Sequence, residues 1–163
     1  LHEAFTAPID CDSPCFLGVE PYVTTVDEAA HILQSHPWIA GIDILDQQMR
    51  RVAIDWTWTG AQPSLLNWYG GMTIRDDVVV SVTLDTDIPW GEFWLAFGRP
   101  QLGKLDFGQH IGVYTEYGFL IRTQPSCFDF WQQPVTVIIT NTDLPYPPYN
   151  AMQHATCDLI AAR

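Results

Sequence analysis

Lysine is almost missing from this chain. Lys104 stands alone, and with six arginines it faces nineteen carboxylates, leaving a net charge of −12 over 163 residues. An acidic surface repels phosphate backbones and anionic headgroups, which excludes nucleic acid and membrane surfaces as partners. No apolar run approaches the roughly 18 to 20 residues of a membrane span. No basic stretch followed by an apolar one marks a leader either. The sequence opens on Leu1, and Leu1 to Pro8 reads as what a removed leader leaves behind. Catalytic and cofactor signatures are missing too. There is no Gly-x-Ser-x-Gly elbow, no Walker or Gly-x-Gly-x-x-Gly loop, no His-Glu-x-x-His and no EF-hand. No cofactor or metal is therefore expected.

What the chain does hold is apolar and aromatic. Hydrophobic residues make up 47% and aromatics 13%, enough to build a core and to argue against disorder. Cys11, Cys15, Cys127 and Cys157 lie near the two ends. In an acidic, Trp-rich chain they point to an oxidising compartment and two disulfides, with three connectivities open. Pairing the first two cysteines with Cys127 and Cys157 is favoured. Such long loops are worth about 4 to 5 kcal/mol each in the chain-entropy account, against about 3 for a short one. Four-cysteine zinc binding would need closer spacing than Cys-x3-Cys.

The organisation shows in an echo. Val79 to Trp90 carries a β-branched run ending Thr86–Asp87–Ile88–Pro89–Trp90, and Val135 to Tyr146 repeats it with Thr142–Asp143–Leu144–Pro145–Tyr146. A repeat of this kind implies one supersecondary unit used twice. A helix is predicted after Thr24 or Thr25, with Glu28 in capping-box position and His36–Pro37 at its end. Val52, Ile54, Trp56 and Trp58 alternate with Ala53, Asp55, Thr57 and Thr59 as a half-buried strand. Strands follow at Trp68 to Arg75, interrupted at Gly70–Gly71, and at Val78 to Leu84. Trp90, Phe93, Trp94 and Phe97 keep helical spacing between Pro89 and Gly98. Three more strands fall at His110 to Glu116, Gly118 to Thr123 and Pro134 to Thr140, and a helix is read over Pro148 to Ala162.

The expected fold is α+β: two tandem helix-plus-antiparallel-sheet units with a C-terminal helix, disulfide-stabilised. Its parts are an extended lead-in over 1–22, a first unit over 23–85 and a second unit with the closing helix over 86–163, in one compact body.

The run Cys11–x3–Cys15–Phe16–x–Gly18–Val19–x–Pro21–x–x–Thr24–Thr25–x–x–Glu28–Ala29 resembles the opening of uncharacterised secreted or lipoprotein-like bacterial proteins. Phe97–Gly98–Arg99–Pro100 with Tyr114 to Phe119 is similar to a later segment of theirs. Tyr22 stands where a glycine is usual in them. In topology alone, the repeat resembles the BamE/SmpA-like and β-lactamase-inhibitor-protein-like architectures. Those resemblances imply a concave sheet that binds protein, and they supply no catalytic residues.

Several features carry possible chemistry. Asp43 with Asp46, Asp76 with Asp77, and Asp85 with Asp87 are the carboxylate clusters, placed at turns and strand ends where Asp bonds backbone. Acid–base work by them would make the chain a small secreted hydrolase, the least favoured reading. His2, His31, His36, His110 and His154 lack ligand spacing and read as surface or helix-end residues. Tryptophans on one strand face usually fill a core, whereas Tyr69, Trp131 and the Tyr146–Pro147–Pro148–Tyr149 corner are the aromatics expected outside.

These readings converge on a secreted or cell-surface protein without enzymatic activity. It would bind a protein partner or assemble with itself through the sheet face opposite the helices. Asp55, Thr57 and Thr59 are expected on that face, joined by Tyr114 and Glu116 from the second unit, with Tyr69 and Trp131 as further binding residues among the exposed aromatics. Carbohydrate binding through exposed aromatics is the alternative.

Overall fold

The computed structural model describes residues 14–47, 51–106, 109–124, 130–141 and 145–149. Helix α1, Val26–Ser35, starts at Thr25, whose side chain accepts from the Glu28 backbone while Glu28 reaches back to the Thr25 N–H. Ala29 and Leu33, one turn apart, are its buried stripe. It ends because Pro37 pushes His36 out of helical backbone, to φ −83° and ψ 132°.

Four strands follow: β1 Ile39–Gln47, β2 Arg51–Trp58, β3 Leu66–Arg75 and β4 Val78–Pro89. Helix α2, Trp90–Phe97, buries Trp90, Phe93 and Phe97 and stops at Gly98, whose φ of 75° suits glycine. Four more strands complete the chain: β5 Leu102–Asp106, β6 Gln109–Tyr114, β7 Phe119–Thr123 and β8 Pro134–Thr140, with a short 3-10 turn at Phe130–Gln132 before the last.

All eight strands belong to one antiparallel sheet in the order β1-β2-β3-β4-β8-β7-β6-β5. Both helices pack on the same face. There Ile54, Trp56, Met72, Ile74, Val82, Leu84, Val137, Ile139, Ile121 and Phe119 meet Leu33, Trp90, Phe93 and Phe97 in one core. The two segments that echo each other are the central pair, β4 and β8. Val82 pairs with Ile139 and Thr83 with Ile138, so the like segments face one another head to tail.

The expected α+β fold of two tandem units closed by a C-terminal helix is overturned. The described residues form a sheet-dominated fold, one continuous eight-stranded sheet bearing two α-helices. The β4–β8 ladder merges what the repeat suggested as units. Strands β1 and β5 escaped the sequence reading because glycine and aspartate interrupt their alternation. At the predicted C-terminal helix, Pro148 and Tyr149 are extended, since Pro148 bridges to Leu102. Residues 150–162 of that helix, and the lead-in before Pro14, lie outside the described residues. Cys15 is buried and disulfide-bonded rather than free, and Cys11, Cys127 and Cys157 lie outside the described residues.

Candidate functional site on the open sheet face

Alternation along each strand sends every second side chain away from the helices. The registers line these residues into rows. One row runs Asp43, Asp55, Gly71, Thr83, Ile138, Leu120 and Val113. Another carries Asp85, Thr136 and Arg122. The open face thus divides in two. Over β1 to β4 it is polar and acidic. Over β5 to β8 it carries an apolar patch, where Ile111, Val113 and Leu120 form a second small core beneath Leu102, Ile138 and Tyr146. The Lys104 ammonium lies 5.4 Å from the centre of the Tyr146 ring.

The polar half centres on Tyr69. Its ring lies across the sheet over Gly71, and its hydroxyl donates to Asp55 Oδ1 at 2.6 Å. A Cβ at position 71 would stand 2.3 Å from the Tyr69 hydroxyl oxygen and 2.7 Å from Asp55 Oδ1, so only glycine leaves room. Gly70 serves the opposite face in the same way. A Cβ there would lie 2.1 Å from the Trp56 indole, which roofs it on the helix side. The expected interruption at Gly70–Gly71 is therefore absent. Both residues lie in the ladder, and the irregularities flank them at Leu66/Gly70 and Thr73/Ile74.

Negative charge gathers around that phenol. Asp43 and Asp55 sit directly opposite each other on β1 and β2, an arrangement that repels. Burial, the hydrogen bond to Asp55, and the charges of Asp55 and Asp85 push the Tyr69 phenol up to about 12. Asp85 Oδ1 accepts from the Thr136 hydroxyl at 2.7 Å. Asp85, Asp87, Gln124, Pro134 and Thr136 line a shallow hollow of about 240 Å³ beside it. Arg122 lies two strands from Asp85, about 10 Å by strand spacing. Among the described residues, no group of three or more His, Cys, Asp or Glu side chains is placed to hold a metal ion.

The expected site residues divide accordingly. Asp55, Thr57 and Tyr69 come together on the open face. Thr59 is exposed just past β2, where its hydroxyl donates to the Pro37 carbonyl at 3.0 Å. Glu116 is exposed in the β6–β7 turn, away from the Tyr69 cluster. Trp131 is 42% exposed but stands edge-on against Trp94 of α2, on the helix side. Tyr114 does not belong to this surface. It is fully buried on the helix face against Phe97 and Phe119, with its hydroxyl donating to the Gly98 carbonyl. Its neighbours Tyr117 and Gly118 belong to the turn, so the strand ends at Tyr114 with the ring inward. His110, read as a surface residue, is likewise fully buried beside Trp90.

Sequence reasoning missed Asp43, Thr83, Asp85 and Thr136 as residues of the same open face as Asp55. Only the register of five strands, β1 to β4 and β8, puts them on one surface, and no local signal carries it. No family model, curated protein or solved structure matches this chain. Among the described residues no helix is long and apolar enough to cross a membrane.

Proposed function

We propose that the chain is a non-enzymatic binding module working outside the cytoplasm, and that its open face over β1 to β4 docks a basic surface of a partner protein. The observation that carries this reading is the Asp43–Asp55 opposition beneath a half-exposed tyrosine. Like charges set across a ladder destabilise the free fold, and an arriving lysine or arginine relieves them. Tyr69 adds a ring already held by Asp55, so little side-chain entropy is lost on contact. A net charge of −12 disfavours a second copy as the partner and favours a cationic one. The oxidised state of Cys15 supports an oxidising compartment. Sugar stacking has less support, because Trp56 and Trp58 turn to the helix side and, among the described residues, no ring stacks beside Tyr69 on the open face.

The test is affinity capture from the source's own extracellular fraction with the full chain. A captured protein should be lost with Tyr69→Ala and with Asp55→Asn/Asp85→Asn, kept by Glu116→Gln, and released by salt. Capture indifferent to all three variants would reject the reading. Quenching of tryptophan emission by soluble polysaccharide, abolished by Tyr69→Ala, would replace it with the carbohydrate one.

A further inference from the structure

The two edges of the sheet are finished differently. At β5 the chain covers its own edge. Pro148 bridges to Leu102, the Gly103 N–H donates to the Pro147 carbonyl at 2.9 Å, and the Tyr149 N–H donates to the Gln101 carbonyl at 3.1 Å. Both prolines lack an N–H, so this covering segment cannot template a further strand there.

At the other end, β1 pairs with β2 alone among the described residues. It is nine residues long and exposes two large apolar side chains in succession, Ile44 at 55% and Leu45 at 42%. Successive residues point to opposite faces, so both sides of this edge are apolar at one position. On the helix side, Ile44 forms part of a groove of about 430 Å³ with Val26, Val52 and Ile74. Asp27, Asp76 and Asp77 line the same groove, while Asp43 is exposed on the open face beside Leu45.

We propose that the β1 edge binds an extended segment of a partner protein in which apolar residues alternate with lysine or arginine. A strand added to β1 gains main-chain hydrogen bonds, and its alternate side chains fall on opposite faces. Those on the helix side fill the groove over Ile44, Val52 and Ile74. Those on the open face reach Asp43, and a basic residue at the segment's end meets Asp76 and Asp77. A second copy is the poorer occupant, because self-pairing would bring β1 aspartates together under −12 charges on each chain. This interface goes beyond the open-face surface, with which it shares Asp43 but not Tyr69 or Asp55.

The probe is a capped Lys-Val-Lys-Val-Lys-Val-Lys peptide titrated against the full chain, with the Glu-Val counterpart as control. Binding should slow amide exchange across 39–47 and weaken with salt. Ile44→Lys and Asp76→Asn/Asp77→Asn should each weaken it about tenfold. Ile44 is exposed, and asparagine tolerates the positive φ of 50° and 68° at 76 and 77, so both variants should fold. Tyr69→Ala should leave peptide affinity unchanged, which separates this edge from the open face. Four results would each overturn the proposal: no binding, equal binding of the Glu-Val peptide, loss with Tyr69→Ala, or a dimer of the chain that Ile44→Lys disperses.

Discussion

The Tyr69 hydroxyl donates to Asp55 Oδ1 at 2.6 Å from across Gly71, joining β3 to β2 on the open face. The bond fixes a ring that is still 40% exposed. One hydrogen bond at a partly exposed position contributes little to stability, and Tyr69→Phe should cost only about 1 kcal/mol of unfolding free energy.

The same bond predicts a pH window. The Tyr69 phenol ionises near 12 in the fold, above the usual value near 10. Its folded pKa is raised, so its stabilising share is complete below pH 10 and is lost as pH climbs towards 12. The difference in unfolding free energy between wild type and Tyr69→Phe should be flat up to pH 10 and shrink above it. Urea titrations at several pH values measure this directly. A difference that widens with pH would contradict the assignment.

Gly70 and Gly71 should respond unequally to alanine. At Gly70 the new methyl meets the Trp56 indole, itself locked in the core, and overpacking of that kind costs about 1 to 3 kcal/mol. At Gly71 the obstacle is Tyr69, which can swing into solvent. Gly71→Ala should therefore cost less stability but break the Asp55 bond, and Tyr69→Ala should remove most of its remaining penalty. A double-mutant cycle by chemical denaturation gives that coupling, and additive effects would refute it.

How much of this was legible depends on whether the signal was local. The Thr25–Glu28 capping box, the Trp90 to Phe97 spacing, the alternation in β2 and the β-branched run of β8 are local, and the elements stand where they were read. The echo of β4 in β8 was visible, but not that the two would pair and make one sheet. Pairing is a long-range choice that no single segment encodes. Alternation put Asp55 and Thr57 on the face of β2 opposite Ile54 and Trp56, as the strand has them. Tyr114 was misplaced because its strand is buried on both faces, with a second small core beneath β6 and β7, so alternation of polarity fails there.

Thr25 offers a check on α1. Its side chain accepts from the Glu28 N–H at 3.4 Å, and the Glu28 carboxylate accepts from both the Thr25 N–H and hydroxyl. Those bonds hold the Glu28 carboxyl below its ordinary value. Thr25→Ala should cost about 1 kcal/mol by thermal or chemical denaturation. Because a lowered carboxylate pKa stabilises only above the unfolded value and fades as pH falls through the folded one, the Thr25→Ala deficit should shrink in acid. A deficit unchanged down to pH 2 would mean that the box adds nothing beyond the threonine cap.

Tyr149 is where the closed edge can be opened. The ring is 3% exposed, lies near-parallel to Trp90 at 6.4 Å between centres, and packs against Trp94. The Arg99 guanidinium donates to its carbonyl and lies 5.8 Å from its ring centre. Tyr149→Ala removes a large buried aromatic and should cost about 3 kcal/mol. It also frees the segment whose prolines cover β5. Variant chains should therefore self-associate with time, whereas a control of matched stability such as Gly70→Ala should stay monomeric. Light scattering at equal unfolded fraction distinguishes the two. Equal association would show that lost stability alone, and not an uncovered β5, drives it.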